Sequence, residues 1–354
     1  MTLPQLPPTS AQPLVSVMVV NYNYARFLGE ALDSIVNQTY QNFEIVICDD
    51  GSTDNSRELI SSYAHRDSRV RPIFKENGGV ARALNTTYAA TAGEIIAMLD
   101  ADDLFTREKL EKVVEKFAPG GRVGTVLNTL TKVDSNGHPI GSIPQFGKLD
   151  RGELREKLLR CAAHWAIAPT SGISFRRACA DLVFPIPEEQ FRTEADGYMC
   201  TVAPLFYAVD VIDEPMTIYR VHSSNVTAAS SISVKSCERI MSAGERVFSV
   251  LSSIAEKNGW TVTQLVDNPT YCEMRLMRDY LQGSSRETNR ENLRRLERAG
   301  SRVETVDRRK IKAKTALLGL AIKLPPAFGQ KVINQIYLPN ALKRIGSRLA
   351  QWIH

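Results

Sequence analysis

Three carboxylates fall within four positions at Asp100, Asp102 and Asp103, directly after the apolar run Glu94 to Leu99. Carboxylates are hard oxygen ligands, and Mg²⁺ or Mn²⁺ typically binds through one or two of them together with substrate phosphates. Acids this close repel one another at neutral pH, and a cation relieves the repulsion. The competing reading makes Asp102 or Asp103 the cap of a following helix. A single Asp would favour the cap, whereas three behind a buried strand favour the cation.

A second acidic pair, Asp49-Asp50, ends the apolar run Phe43 to Cys48. An acid at a strand end can accept hydrogen bonds from a base or ribose. The first strand, Leu14 to Val20, runs into Asn21-Tyr22-Asn23-Tyr24-Ala25-Arg26, which has neither G-x-G-x-x-G nor a Walker Lys. A bound phosphate must then be neutralised by metal and basic side chains rather than by a nest of amides. This counts against a dehydrogenase or a P-loop enzyme.

The elements that must position these acids follow from periodicity. A helix with Leu28, Leu32, Ile35 and Val36 on one face follows the first strand. Another carries Leu59, Ile60 and Tyr63, capped by Ser52, Thr53 or Asp54. Val70 to Phe74 is a third strand, and Asn77-Gly78-Gly79 turns into a helix from about Val80 to Ala90. Strand and helix in strict alternation imply right-handed crossovers and a mostly parallel sheet with ligands at the carboxyl ends of its strands. All three polar clusters fall at those ends. Beyond them the pattern predicts a hairpin within Val123 to Ile143 and helices at Leu154 to Ala163 and about Ala195 to Tyr207. Short strands are expected at Ile173 to Phe175, Val209 to Ile212 and Met216 to Val221.

Five ordered motifs resemble the family 2 glycosyltransferases, of the GT-A fold. They are Val17 to Asn23, Ser34 to Tyr40, Glu44 to Asp54, Asn77 to Asn85, and Asp100-Ala101-Asp102-Asp103. The likeness runs from about Pro13 to Asn225. It implies inverting transfer of a sugar from a nucleotide diphosphate, with UDP the expected nucleotide, to a hydroxyl of a saccharide or lipid-linked acceptor. By position, Asp50 matches the acid that contacts the base, with Asp49 beside it and Tyr22 as an aromatic against the base or a packing residue. Asp100, followed by Ala101, matches the ribose-side position. Asp102 matches the principal ligand of a divalent cation, Mn²⁺ or Mg²⁺. Arg82 is a candidate for phosphate.

Inverting transfer needs a general base for the acceptor hydroxyl. The family has Glu-Asp at the start of a helix, where this chain reads Glu194-Ala195-Asp196. Asp196 matches the base, Glu194 is the alternate, and Thr193 or Asp196 as a simple helix cap is the rival reading. His222, in Tyr219 to Asn225, matches a tail motif in which it completes the metal shell or touches the diphosphate; a satisfied structural histidine is equally open. Thr170, Ser171 and Gly172 resemble an acceptor-side loop, with Trp165 as a sugar platform or a core residue.

Composition bounds the rest. Of 354 residues, 43% are hydrophobic and 23% charged, ordinary for a soluble globular protein. Ser231 to the end carries 22 Lys+Arg against 11 Asp+Glu, whereas the front carries 22 against 28. The expected organisation is a flexible leader over 1–13, an α/β catalytic domain over 14–230 with its donor half at about 14–104 and its acceptor half at 105–230, and a basic helical region over 231–354. The apolar stripe through Leu338, Leu342, Ile345, Leu349 and Trp352 lies among Lys and Arg. Such a stripe suits an anionic membrane surface, packing on the domain, or a second copy of the chain. Six scattered cysteines without metal spacing, no signal peptide and no spanning helix point to the cytoplasm, with the inner face of the membrane as an option. Nothing accompanies the basic patches to suggest nucleic acid. A sugar nucleotidyltransferase would share the sheet but needs a Gly-rich basic loop after the first strand. A non-catalytic nucleotide-sugar binder would be marked by loss of the acids, which are present.

Overall fold

Three apolar runs rich in β-branched residues become the central strands, flanked by a shorter and more exposed one, in a computed structural model that describes residues 3–144, 148–222, 232–302 and 308–337. Strand β1 (Val15–Asn21) leads through helix α1 (Ala25–Val36) to β2 (Phe43–Asp49), α2 (Ser56–Arg66), β3 (Val70–Phe74), α3 (Val80–Ala89) and β4 (Ile95–Asp100). β1 pairs in parallel with both β2 and β4, and β3 pairs in parallel with β2. Both faces of this sheet are covered, which is why β1 and β2 read as continuous apolar runs instead of alternating. Helix α1 buries Phe27, Leu28, Ala31, Leu32 and Ile35. Each fully buried Leu or Ile contributes about 1.5–3 kcal/mol.

The chain continues through β5 (Leu104–Phe105), α4 (Lys109–Phe117), β6 (Val123–Asp134), β7 (Pro139–Ile143), α5 (Arg155–Arg160), a 3₁₀ turn (Thr170–Gly172), β8 (Ile173–Arg176), α6 (Arg177–Val183), α7 (Ala195–Phe206) and β9 (Ala208–Val221). The sheet order is β3-β2-β1-β4-β8-β6-β9-β5, with β7 beside β6. β8 is antiparallel to both its neighbours, and β6 and β9 are again parallel. The fold is therefore α/β with a mostly parallel sheet, as expected.

Three expectations need correction. The two last strands are one, β9, because Asp213-Glu214-Pro215 is accommodated as register shifts against β6 rather than as a turn. Helix α5 is shorter than the apolar pattern suggested, since Ala162 and Ala163 take left-handed φ of 49° and 65°. The leader, expected to be flexible, is tied down over its described part: Leu6 pairs with Gly121, Arg176 donates to the Pro7 carbonyl, and Leu3 is buried.

Backbone contacts divide the chain into two units, Met1–Glu156 with Ala166–His222, and Lys157–Trp165 with Ser223–His354. The second holds α8 (Val234–Lys257), α9 (Pro269–Leu281), α10 (Arg286–Ser301), α11 (Arg308–Ala321) and α12 (Pro326–Tyr337). Ser233, Asn268 and Ser285 cap the first three of these with their side chains. Their core gathers Met241, Leu276, Met277, Tyr280, Leu296, Leu318 and Ile333. Among the described residues no helix is long and apolar enough to cross a membrane. The basic apolar stripe from Leu338 to Trp352 lies outside the described residues, as does the end of the tail motif, Ser223 to Asn225. All six cysteines are buried and unpaired as disulfides.

Candidate active site

β4 ends on Asp100, and the turn after it is closed by the Asp103 N–H donating to the Asp100 carbonyl at 3.1 Å. Ala101 is buried in the core beneath this turn. Asp103 caps no helix. Its Oδ2 accepts from Ser171 Oγ at 2.6 Å, and its Oδ1 accepts from the Arg220 N–H at 2.9 Å. Ser171 Oγ in turn accepts from the Asp100 N–H at 3.0 Å. Asp103 thus holds the 3₁₀ turn and β9 against the end of β4, leaving Asp100 and Asp102 for chemistry.

Charge is concentrated here. Burial, then the neighbouring carboxylates of Asp102 and Asp196, push the Asp100 carboxyl up to about 8. Burial also raises Asp102, although its hydrogen bond with His222 works the other way. Asp103 is driven up by burial and then by Asp102 and Asp100. Acids held this way gain from a cation.

His222 follows β9 and sets its Nε2 at 2.9 Å from Asp102 Oδ2. Its ring stacks on Phe27 at 4.7 Å and meets Tyr24 edge-on at 5.6 Å. Arg220 lies over the same Phe27 ring at 4.7 Å and donates to Glu30 Oε2 at 2.7 Å. The first turns of α1 therefore clamp the end of β9. Sequence reasoning missed Phe27 and Glu30. Their signal was placement: a helix that follows β1 opens at the carboxyl edge of the sheet.

At the neighbouring strand, Asp49 accepts from Asn21 Nδ2 at 2.8 Å, the Ser52 N–H at 2.9 Å and Arg57 Nε at 3.0 Å. Burial raises its carboxyl, but these donors outweigh burial and hold it below the usual range. Asp50 accepts from the N–H groups of Gly78 and Gly79 at 2.9 and 2.8 Å and pairs with Lys75. A carboxylate offers about four acceptor positions; the Ser52 side chain completes the set at the fully buried Asp49, whereas Asp50 keeps roughly one for a ligand. Tyr22 is 46% exposed beside this cluster's loop. Arg82 is exposed and turned to Glu188 at 3.9 Å.

Asp196 sits in the first turn of α7, with Oδ1 accepting from the Gly197 N–H at 2.9 Å. Burial raises its carboxyl. Glu194 is the left-handed residue before the helix, with φ 62° and no side-chain cap bond. Of the two, it is the charge of Asp196 that reaches Asp100.

Thr170 is half-buried, while Ser171 and Gly172 are buried. A Cβ at Gly172 would stand 2.7 Å from Ala168 Cβ and 3.0 Å from Leu130 Cδ1. Ser171 and Gly172 therefore serve the acid cluster from beneath and give no surface to an acceptor. Trp165 groups with the second unit at 7% exposure, and a covered ring has no face for a sugar.

Among the described residues no three His, Cys, Asp or Glu side chains gather as a closed metal cage. Asp102 and His222 make a pair, an oxygen and a nitrogen donor. That donor set suits a cation that takes its remaining ligands from substrate phosphates and water.

Comparison with known proteins bears on the family and the fold. Residues 16–177 match the family described as glycosyl transferase family 2. An uncharacterized glycosyltransferase of Nostoc sp. is 37% identical over 222 residues, 62% of this chain and 69% of that protein. The chondroitin synthase of Pasteurella multocida is 33% identical over 147 residues, 42% of this chain but only 15% of the synthase. S. aureus TarS 1-349, solved in complex with UDP-GlcNAc, shares the fold at a TM-score of 0.54 and 16% identity, over 91% of this chain and 90% of that one. The α/β fold and the relatives together define a glycosyltransferase. The chain belongs to glycosyl transferase family 2.

Proposed function

We propose that this glycosyltransferase is an inverting, metal-assisted GT-A enzyme that moves a sugar from a UDP-type donor to a hydroxyl of a saccharide or lipid-linked acceptor in envelope polysaccharide synthesis. The observation that carries the reading is the Asp102–His222 pair, 2.9 Å apart beside Asp100 at the carboxyl end of β4. In it, Asp196 accepts the acceptor hydroxyl proton as that oxygen attacks the anomeric carbon, and the nucleoside diphosphate leaves with the electrons of the broken bond. Its raised pKa suits a group that must hold a proton after the attack. Asp102 and His222 would hold a divalent cation, Mn²⁺ or Mg²⁺, which supplies positive charge to the departing diphosphate when bound. Asp49, Asp50 and Tyr22 would face the nucleoside, and Asp100 the ribose.

The UDP-GlcNAc in the TarS structure makes UDP sugars the first donors to try. The basic apolar stripe from Leu338 to Trp352 would bring the enzyme to an anionic membrane surface carrying its acceptor. The test is UDP release by the purified protein across UDP sugars, with Mn²⁺, Mg²⁺ or chelator. Turnover should need the cation and vanish in Asp102→Ala. Turnover indifferent to both would overturn the metal assignment.

A further inference from the structure

Helix α4 carries a lysine where its apolar face calls for a hydrophobic residue. Lys109, Leu110, Val113 and Phe117 are the buried residues of α4, and Lys109 is 0% exposed. No substrate-facing role explains it. An amine sealed from water is costly unless it is hydrogen-bonded, and an apolar residue of the same length would fill the space without that cost. Among the described residues its side chain donates to Asn128 Oδ1 and stands over the Phe105 ring at 5.3 Å. Burial draws its pKa down to about 7, with no carboxylate contributing.

The bond to Asn128 is the first link of a longer chain. Asn128 Nδ2 donates to Thr217 Oγ1 at 3.1 Å, and Thr217 Oγ1 donates to the Ser171 carbonyl at 3.0 Å. Ser171 Oγ donates to Asp103 Oδ2 at 2.6 Å and accepts the Asp100 N–H at 3.0 Å. Every donor along the path has its acceptor, so the direction of the protons is consistent from end to end. Asn128, Ser171 and Thr217 are each 0% exposed, and Asp103 is 1% exposed. Asn128 and Thr217 lie at the register shifts between β6 and β9, the irregularity that frees their side chains for one another. The path thus joins α4, β6, β9 and the 3₁₀ turn to the acids after β4.

We infer that Lys109 is a positioning residue for the acid cluster: its hydrogen bond to Asn128 anchors a buried relay that fixes Asp103 and, through Ser171, Asp100. The inference rests on the reading of that cluster as the donor and metal site. A buried hydrogen-bond network specifies one geometry, and cutting a link leaves the groups on either side of it without that partner. The relay touches no substrate itself and reaches the reaction only through the acids that face the donor and the cation, so its loss lowers turnover and weakens use of the donor while leaving the acceptor side alone.

Lys109→Met keeps the length and removes the donor; Thr217→Val cuts the relay two links further on at nearly constant volume. Amide hydrogen exchange in the full chain reads the geometry without any assumption about the reaction. In both variants the Asp100 and Arg220 amides should exchange roughly 10-fold faster relative to Val17 and Ile45 in β1 and β2, about the size expected when a buried hydrogen-bond partner is lost nearby. With a UDP sugar and Mn²⁺, kcat should fall ~10-fold and the donor KM rise as Asp100 loosens, while the acceptor KM changes less than about twofold. The double variant should be little worse than either single one, as for links of one network. Exchange that quickens uniformly, an unchanged kcat, or simply additive effects would each overturn the inference. If the wild-type chain releases no UDP with any donor or cation, the functional reading fails, and the exchange experiment still decides the role of Lys109.

Discussion

His222 Nε2 and Asp102 Oδ2 lie 2.9 Å apart, across 120 positions of sequence, with side chains 5% and 9% exposed. One residue ends β9 and the other belongs to the turn after β4, so this contact closes the site from two sides. Phe27 beneath the imidazole and Arg220 on the same ring fix its orientation, and Glu30 fixes Arg220. Both partners belong to residue types that bind divalent cations, and His222 is steadied by residues of α1.

His222→Ala should raise the Mn²⁺ concentration needed for half-maximal UDP release by about 10–100-fold, the usual cost of losing a ligand's support. Phe27→Leu should produce a smaller change in the same direction, since it removes the stacking face and keeps the volume. A Mn²⁺ titration of UDP release measures both. An activation curve unchanged in His222→Ala would remove the residue from the metal site.

Asp196→Asn should lower kcat by about 10²–10⁴-fold, the range typical of general base catalysis, with the donor KM nearly unchanged. Glu194→Gln should cost far less, because Glu194 stands before α7 in a left-handed conformation while Asp196 lies within its first turn and its charge adds to the rise at Asp100. Steady-state UDP release with acceptor present separates them. Should Glu194→Gln abolish transfer and Asp196→Asn leave it intact, the base is Glu194.

Much of the sheet was legible in the residues themselves. Apolar β-branched runs that stop on polar clusters gave β1, β2 and β4 within a residue or so, because strands buried on both faces have little freedom in composition. The acids at those ends were legible for the same reason. What could not be read was which distant groups they meet. That Ser171 supports Asp103 instead of an acceptor, or that Asp50 already receives two backbone N–H groups, depends on contacts 68 and 28 positions apart. Trp165 stayed open between platform and core because an aromatic near a polar loop looks alike whether covered or open, and it is buried. Lys109 had a signal that composition hides: it occupies the i position of the buried Lys109, Val113, Phe117 series on α4.

Gly79→Ala probes how the nucleoside-side loop and the base segment depend on one another. Gly79 has φ +88°, and a Cβ there would stand 2.6 Å from Arg192 Cγ and 3.0 Å from the Arg192 carbonyl oxygen. That carbonyl accepts the Val80 N–H at 3.0 Å, and the Gly79 N–H donates to Asp50. The strain alone should cost roughly 1–3 kcal/mol of stability in urea unfolding. Because Arg192 lies four positions before Asp196, kcat should fall as well. A destabilised variant with wild-type kcat would separate this turn from the base.

The pH dependence of folding gives an independent reading of the buried lysine. In the folded chain burial draws Lys109 from 10.5 down to about 7. Between those values the unfolded chain binds a proton at this site and the folded chain does not. Stability therefore rises with pH through that window, and below about 7 the full cost of the buried charge is carried. Lys109→Met has no such proton to bind. Its melting temperature should exceed that of the wild type by most at pH 6, and the gap should shrink steadily toward pH 10, roughly the span set by the ordinary lysine value. Taking the difference between the two proteins at each pH cancels every group they share. A difference that stays flat from pH 6 to 10 would mean that Lys109 keeps an ordinary pKa, and hence that water reaches its amine.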